Sequence, residues 1–247
     1  YECWGESTAT FMINGSRCTR ACGFCLVDTQ QPEPINAEEP HHVAQAVEQM
    51  GLSHVVITAV ARDDLDDGGA SGFVKTLRSI RKRVPEVSVE ILIPDFRGRV
   101  DALECVLAEQ PDVVNHNLET VARLQRAVRS NAGYARSLTL LARAKERGLI
   151  TKSGLMTGLG ETDDELISAL GDLACVGVDI VTIGQYLRPT TDHLPVQRWV
   201  NPETFQMLAE RARELGFRHV EAGPLTRSSH KAARGLRSFT TTAGPQP

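Results

Sequence analysis

Eight residues, Cys18-Thr19-Arg20-Ala21-Cys22-Gly23-Phe24-Cys25, set three thiols in a C-x3-C-x2-C spacing. Three thiolates this close can hold a soft metal centre, and three is one fewer than a structural zinc or a saturated cubane cluster takes. One metal position is left open. On a [4Fe-4S] cluster that open iron binds a small molecule and can pass it an electron. Two plainer readings stand beside this one: a zinc knuckle that borrows a fourth ligand, and buried cysteines acting as small apolar residues. Gly23 and the short polar spacers suit a metal loop better than a core strand. The rest of the chain reads as scaffold for this loop.

At 247 residues the chain is long enough for one barrel or two smaller domains, and either buries a sizeable core. A net charge of −4, with 27 basic residues scattered among 31 acidic ones, gives no global footprint for nucleic acid. Arg81-Lys82-Arg83 closes a predicted helix, where a solvated, dipole-complementing role fits. No apolar run reaches membrane-span length and no signal-peptide pattern is present, so neither a membrane nor a secretory route is expected. The six cysteines are not spaced as a secreted disulfide framework, which favours a reducing compartment: bacterial cytoplasm, or an organelle matrix in a eukaryote. Because Tyr1 stands where a start Met would, the sequence reads as a fragment.

Residues 7–14, β-branched and aromatic and ending at Gly15, predict a first strand that feeds the cysteine loop. A Pro-rich linker follows over 31–40, and then the pattern alternates. Helices are predicted over 41–50, 71–83, 100–109, 119–128, 135–147, 162–175 and 203–215. Strands are predicted over 55–59, 87–93, 113–116, 151–156 and 178–184, with a short last one over 219–222. Such alternation argues for a parallel sheet with covering helices, and runs such as Val55-Val56-Ile57 and Ile180-Val181-Thr182-Ile183 fit strands buried on both faces. The predicted fold class is α/β, a partial (β/α)6 TIM-like barrel in one domain over 1–229, with short extensions at both ends. From 230 onward apolar periodicity is lost and a mobile tail is expected.

In an α/β barrel the chemistry sits in loops at the carboxyl ends of the strands. Those loops here are the cysteine loop, 61–69, 94–99, 115–120, 157–162 and 185–190, and each carries groups that can hold a charged or hydroxylated ligand. Plainer roles compete. Asp63, Asp64, Asp66 and Asp67 suit a solvated, Gly-closed turn and lack the EF-hand spacing. Asn115, Asn117 and Glu119 suit a helix cap as well as a ligand contact. Gly158, Gly160 and Thr162 suit a tight turn and N-cap. His116 reads as a hydrogen-bonded core histidine, and Cys105 and Cys175 as packing residues in apolar helices.

The C-x3-C-x2-C loop resembles that of the radical S-adenosylmethionine (SAM) enzymes. A narrower resemblance runs to about residue 229. Tyr1-Glu2-Cys3-Trp4, residues 18–25, Arg62-Asp63-Asp64-Leu65 with Asp67-Gly68-Gly69-Ala70, and Asn115-His116-Asn117-Leu118-Glu119-Thr120 carry it. So do Thr151-Lys152-Ser153-Gly154-Leu155-Met156, Gly184-Gln185-Tyr186-Leu187-Arg188-Pro189-Thr190, and Ala222-Gly223-Pro224-Leu225 with Arg227-Ser228-Ser229. In order and spacing these resemble the lipoyl synthase family.

That resemblance implies a sulfurtransferase with SAM and two [4Fe-4S] clusters. A cluster on Cys18, Cys22 and Cys25 reduces SAM to methionine and a deoxyadenosyl radical, which takes a hydrogen from an unactivated carbon. A second, sulfur-donating cluster is bound in the family by three cysteines and one serine. Cys3 matches the last of those cysteines and Ser229 the serine, with Ser228 the alternative; the other two cysteines would precede Tyr1. His230 stands where the family has tyrosine. The implied substrate is an octanoyl-lysine of a lipoyl carrier domain, sulfurated at C6 and C8. Implied partners are 2-oxoacid dehydrogenase E2 subunits, the glycine cleavage H protein and an electron donor such as ferredoxin or flavodoxin, with no nucleic acid and no membrane. From loop position, Asn115, Asn117, Glu119, Ser153 and Arg188 are the expected SAM contacts. A biotin synthase-like or methylthiotransferase-like enzyme, or a non-catalytic iron-sulfur protein, is the competing reading.

Overall fold

The computed structural model describes residues 8–229 and 232–240. Strand β1 (Thr8–Ile13) leads into the cysteine loop, and helix α1 (Glu39–Gln49) follows with Pro40 in its first turn, where a missing N–H costs nothing. Then come β2 (His54–Ala59), α2 (Ala70–Arg83), β3 (Ser88–Leu92), α3 (Val100–Leu107) and β4 (Val113–Asn115). A one-turn helix α4 (Gln125–Val128), α5 (Tyr134–Glu146), β5 (Ile150–Thr157), α6 (Asp163–Cys175) and β6 (Ile180–Gln185) continue the chain. It closes with α7 (Pro202–Glu214), β7 (His219–Gly223) and α8 (Ala232–Thr240).

Among the described residues the seven strands are parallel and lie in sequence order, β1 to β7, with no pairing between β1 and β7. The sheet is therefore an open barrel of seven strands where six were predicted, because the short strand expected over 219–222 pairs with β6 from Ile180↔His219 to Gly184↔Gly223. Two other expectations are corrected. Residues 119–128 form no single helix, because Glu119 is in the left-handed region (φ 69°) and its backbone bonds to Gly154 and Met156, as a bridge to β5. After 230, where no regular element was expected, α8 forms and packs against β2 and β7, with Ala232 and Ala233 buried.

Period-two alternation sorts the strands into an apolar outer face and a polar inner one. Ile13, Val55, Ile57, Val89, Ile91, Val114, Val181 and Ile183 point outward and pack with the helices in one continuous core. Inside, Glu90 on β3 binds Nζ of Lys152 on β5 at 2.9 and 3.0 Å and accepts from Nδ2 of Asn115 on β4 at 2.8 Å. All three are buried. A pair this dry balances a large desolvation cost against its attraction, so it pins the mutual register of β3, β4 and β5 more than it adds stability. Cys105 and Cys175, expected in packing, lie on exposed helix faces. Among the described residues no helix is long and apolar enough to cross a membrane.

Candidate active site at the barrel mouth

The cysteine loop is held over the carboxyl ends of the strands by bonds to four other loops. Thr19 donates to the carbonyl of Ala61 through its N–H (3.0 Å) and Oγ1 (2.9 Å), and the Asp63 N–H returns a bond to Oγ1 at 2.9 Å. Arg20, buried, grips Asp63 with Nε and Nη2 (2.7 and 2.8 Å) and Asp95 at 2.6 Å. Burial alone would lower the Arg20 guanidinium; the two carboxylates override it and hold it charged. Asp95 is fully buried and also accepts from Arg136 at 3.0 Å, so its carboxyl stays below the usual range despite burial, with the Arg20 charge the chief reason. Gly23 is pinned from both sides: its N–H donates to Val128 and its carbonyl accepts from Leu194 (3.0 and 2.9 Å). A Cβ there would lie 2.7 Å from a Leu194 methyl. Finally, the Cys25 carbonyl lies 3.0 Å from His193 Nε2.

These bonds dispose of the acidic run after β2. Asp63 faces Arg20, Asp64 pairs with Arg62 at 2.9 Å, and Asp67 accepts from the N–H groups of Gly69 and Ser71 at the start of α2. It is a brace with a helix cap, as the Gly-closed turn suggested. Thr162 and Glu165 likewise form a capping box on α6. His116 has both ring nitrogens bonded, to Ile93 O and Ser137 Oγ, and is a core histidine.

Two cavities open at the mouth. One, of about 320 Å³, is lined by Cys18, Cys22, Cys25, Arg20 and Arg129 together with apolar groups from β1 to β3 such as Met12, Val60 and Leu92. The other, of about 260 Å³, lies over β5, β6 and the loop after β7, with Gly154, Thr182, Gly184, Tyr186 and Ser228 in its wall. Phe24, Asn117 and Glu119 belong to both. Two glycines in the wall of the second cavity let neighbours come close: a Cβ on Gly154 would lie 2.8 Å from Asn117 Oδ1, and one on Gly184 would lie 2.2 Å from the Thr226 carbonyl.

The expected site residues divide accordingly. Cys18, Cys22 and Cys25 share one wall and Asn117 and Glu119 face them, with Asn117 Nδ2 donating to Glu119 Oε1 at 3.1 Å. Asn117 Oδ1 is buried with no hydrogen-bond partner among the described residues. Asn115 does not reach the mouth, because its amide is spent on Glu90 inside the barrel. Ser153 is buried too, and its Oγ accepts from the Leu118 N–H at 3.1 Å, so it positions the Asn117–Glu119 turn from below. Arg188 is exposed, folds back on the carbonyls of His193 and Thr191, and lines neither cavity. Ser229 lies just beyond the wall that Ser228 joins, and Cys3 falls outside the described residues. Arg20 and Arg129 were not foreseen. An isolated arginine between two candidate ligands was the visible signal for the first; nothing near Arg129 marked it.

The loop brings negative charge together at a half-buried place. Burial pushes Cys22 and Cys25 up, and Cys18 and Glu119 push both further, with Cys25 adding at Cys22; Arg129 opposes this at Cys22, and the Val27 N–H at Cys25. A metal centre relieves that repulsion and takes the thiolates outright. Cys18 Sγ already accepts from the Arg20 and Ala61 N–H groups at 3.4 and 3.3 Å, as a cluster-bound sulfur does. Burial raises Glu119 as well, against Arg129 and Asn117.

Comparison with known proteins follows the same lines. Residues 12–173 match the Radical SAM superfamily. A lipoyl synthase of Symbiobacterium thermophilum is 56% identical over 94% of this chain and 73% of its own length. One from Rubrobacter xylanophilus is 54% identical over the same shares, and one from Mycobacterium avium 51% over 96% and 77%. Among solved structures, methylornithine synthase (PylB) superposes with a TM-score of 0.63 at 15% identity, covering 84% of this chain and 62% of that one. HydG, a maturase of the [FeFe]-hydrogenase, gives 0.65 at 16% identity, covering 92% and 58%. At such identities the structures speak to the fold alone.

Proposed function

The chain belongs to the radical SAM superfamily and, within it, to the lipoyl synthase family, and from that premise we propose how its residues share the work. The reaction is insertion of sulfur into a carrier-bound octanoyl chain, at C6 and C8 of an octanoyl-lysine. The observation that carries the assignment of residues is the shared wall: three loop thiols and the Asn117–Glu119 pair face one cavity at the barrel mouth.

Cys18, Cys22 and Cys25 hold one [4Fe-4S] cluster. When bound, that cluster supplies one-electron cleavage of SAM and so the means to take hydrogen from an unactivated carbon. Arg20, clamped by Asp63 and Asp95, fixes the loop, and Arg129 offsets the negative charge of the thiolates. Asn117 and Glu119, at the junction of the two cavities, hold the polar groups of SAM, and the unpartnered Asn117 Oδ1 waits for a donor. The second cavity, with Gly154 and Gly184 in its wall, takes the nucleoside part; the two glycines let Asn117 and the Thr226 carbonyl close in on it. Met12, Val60 and Leu92 exclude water from the other half, where the acyl chain lies. Ser229, with Cys3 and ligands preceding it, holds the sulfur-donating cluster; a hard hydroxyl ligand suits a cluster that must come apart. The carriers are E2 subunits of 2-oxoacid dehydrogenases and the glycine cleavage H protein, a ferredoxin or flavodoxin supplies electrons, and nucleic acid plays no part.

The test is a titration of SAM against deoxyadenosine formation with anaerobically reconstituted full-length protein. Glu119→Gln and Asn117→Ala should raise the half-saturating concentration by roughly tenfold or more, about one hydrogen bond to a charged group. Arg188→Ala should leave it within about twofold. The opposite ranking would move the binding site to the loop after β6.

A further inference from the structure

On the flank of the barrel, outside both mouth cavities, a groove of about 160 Å³ runs between α3 and α5, lined by Asp95, Gly98, Arg99, Leu103, Arg136 and Arg143 among others. It shares no lining residue with either mouth cavity. On a chain whose net charge is −4, this face is basic: Arg97 and Arg99 are exposed on the approach, and Arg136 and Arg143 project from α5. Among the described residues no carboxylate lies within ion-pair distance of Arg97, Arg99 or Arg143, whereas Arg78, Arg83, Arg123 and Arg147 are all paired. The one acid in the groove, Asp95, is fully buried and neutralised from two sides. Asp101 and Glu104 on α3 lie outside the lining, and Glu104 is taken by Arg147.

Two further observations give this patch a direction. Phe96, Arg97 and Gly98 are consecutive left-handed residues (φ 46°, 55° and 78°), a backbone cost that persists where the surroundings hold it and that here presents Arg97 to solvent. And Asp95 joins the groove to the cysteine loop, with Arg136 on its outer side at 3.0 Å and Arg20 on its inner side at 2.6 Å. From exposed guanidinium to the wall of the thiol cavity there is a single buried carboxylate.

We propose that this groove is where a small acidic one-electron carrier protein docks to reduce the cluster; the proposal rests on the radical reading above. The acyl carrier must cover the mouth to deliver its lysine arm, so the electron donor needs another face. This one is tied to the cluster loop through Asp95, which Arg136 and Arg20 hold from its two sides, and arginines without a carboxylate partner steer an acidic protein onto it. The step moves one electron from the donor's reduced flavin to the cluster: the flavin is oxidised, the cluster reduced, and no bond forms or breaks.

Arg99→Glu/Arg143→Glu reverses one exposed and one half-buried charge on the groove, outside both mouth cavities. With full-length reconstituted protein and reduced flavodoxin as the probe, bleaching of the cluster absorbance should slow by about tenfold or more, and titrated flavodoxin affinity should fall similarly. Both differences should shrink as salt rises. Dithionite, a small inorganic reductant, should reduce the variant and the wild type at the same rate, with equal deoxyadenosine yields. Equal flavodoxin rates and affinities in variant and wild type would overturn the proposal. So would a variant whose half-saturating concentration of octanoylated carrier rises under dithionite, since the groove would then serve the carrier. If the wild type makes no deoxyadenosine under dithionite, the radical reading itself has failed, which the flavodoxin titration separates from a failed docking face.

Discussion

Gly23 occupies the tightest point of the cysteine loop, with Leu194 Cγ and Cδ1 2.8 and 2.7 Å from where a Cβ would stand and backbone bonds on both sides. Gly23→Ala must push Leu194 or the loop aside at about 1–3 kcal/mol. Iron retained per chain after reconstitution should fall, and unchanged iron would show that the loop tolerates the shift. His116 makes a second prediction. Its ring is buried and its pKa is held down to about 4 from 6.5, by burial first and the Arg129 charge second. A depressed histidine contributes stability above its unfolded pKa; as pH falls from about 6.5 to about 4 the unfolded chain takes the proton and the folded one resists. Folding should therefore weaken by on the order of 3 kcal/mol across that window. His54, also depressed by burial, adds in the same direction. Urea unfolding at both ends of the window should show a shallower pH slope for His116→Gln, and an unchanged slope would contradict the assignment. At this scale the sequence disclosed the thiols and the core histidine. Arg20 showed there only as an arginine between two thiols, its partners Asp63 and Asp95 being far along the chain, and nothing local marked Arg129.

Among the elements, the loop after β7 carries the strongest constraint. Gly184 on β6 lets the Thr226 carbonyl cross the strand at 2.2 Å from any added Cβ, and that carbonyl is backbone. Gly184→Ala should displace the segment bearing Arg227, Ser228 and Ser229. Bound iron should then drop by about half, as one of two clusters is lost, while the cysteine-loop cluster stays. Full iron content would place the second cluster elsewhere. Helices with clear caps or apolar stripes were legible to within about two residues: α6 starts at its Thr162–Glu165 box and α7 at the Asn201 cap. The 119–128 stretch was not, since its helical pattern lost to a tertiary bridge with β5 that only the folded sheet provides. Asn115 and Ser153 were misplaced for a related reason. Both stand where mouth residues belong by strand count, yet one side chain is committed to Glu90 and the other to the Leu118 N–H.

For the whole molecule, the sheet separates two media. Its outer face builds an ordinary apolar core, and its inner face carries Glu90, Lys152 and Asn115 below a mouth split into an apolar half and a polar half. The alternation of strands and helices announced the parallel barrel, and continuous runs such as Ile180-Val181-Thr182-Ile183 announced burial on both faces. That the barrel is partial, and that a short strand stands over 219–222, was legible; that this strand joins the sheet beside β6 as a seventh member depended on a pairing partner that local pattern does not name. The central claim is sulfur insertion by this mouth. Full-length protein, reconstituted anaerobically and given reductant, SAM and an octanoyl-lysine peptide, should yield a peptide that has gained two sulfurs and lost two hydrogens by mass spectrometry, and Cys18→Ala should abolish the change. An unaltered peptide alongside abundant deoxyadenosine would contradict it.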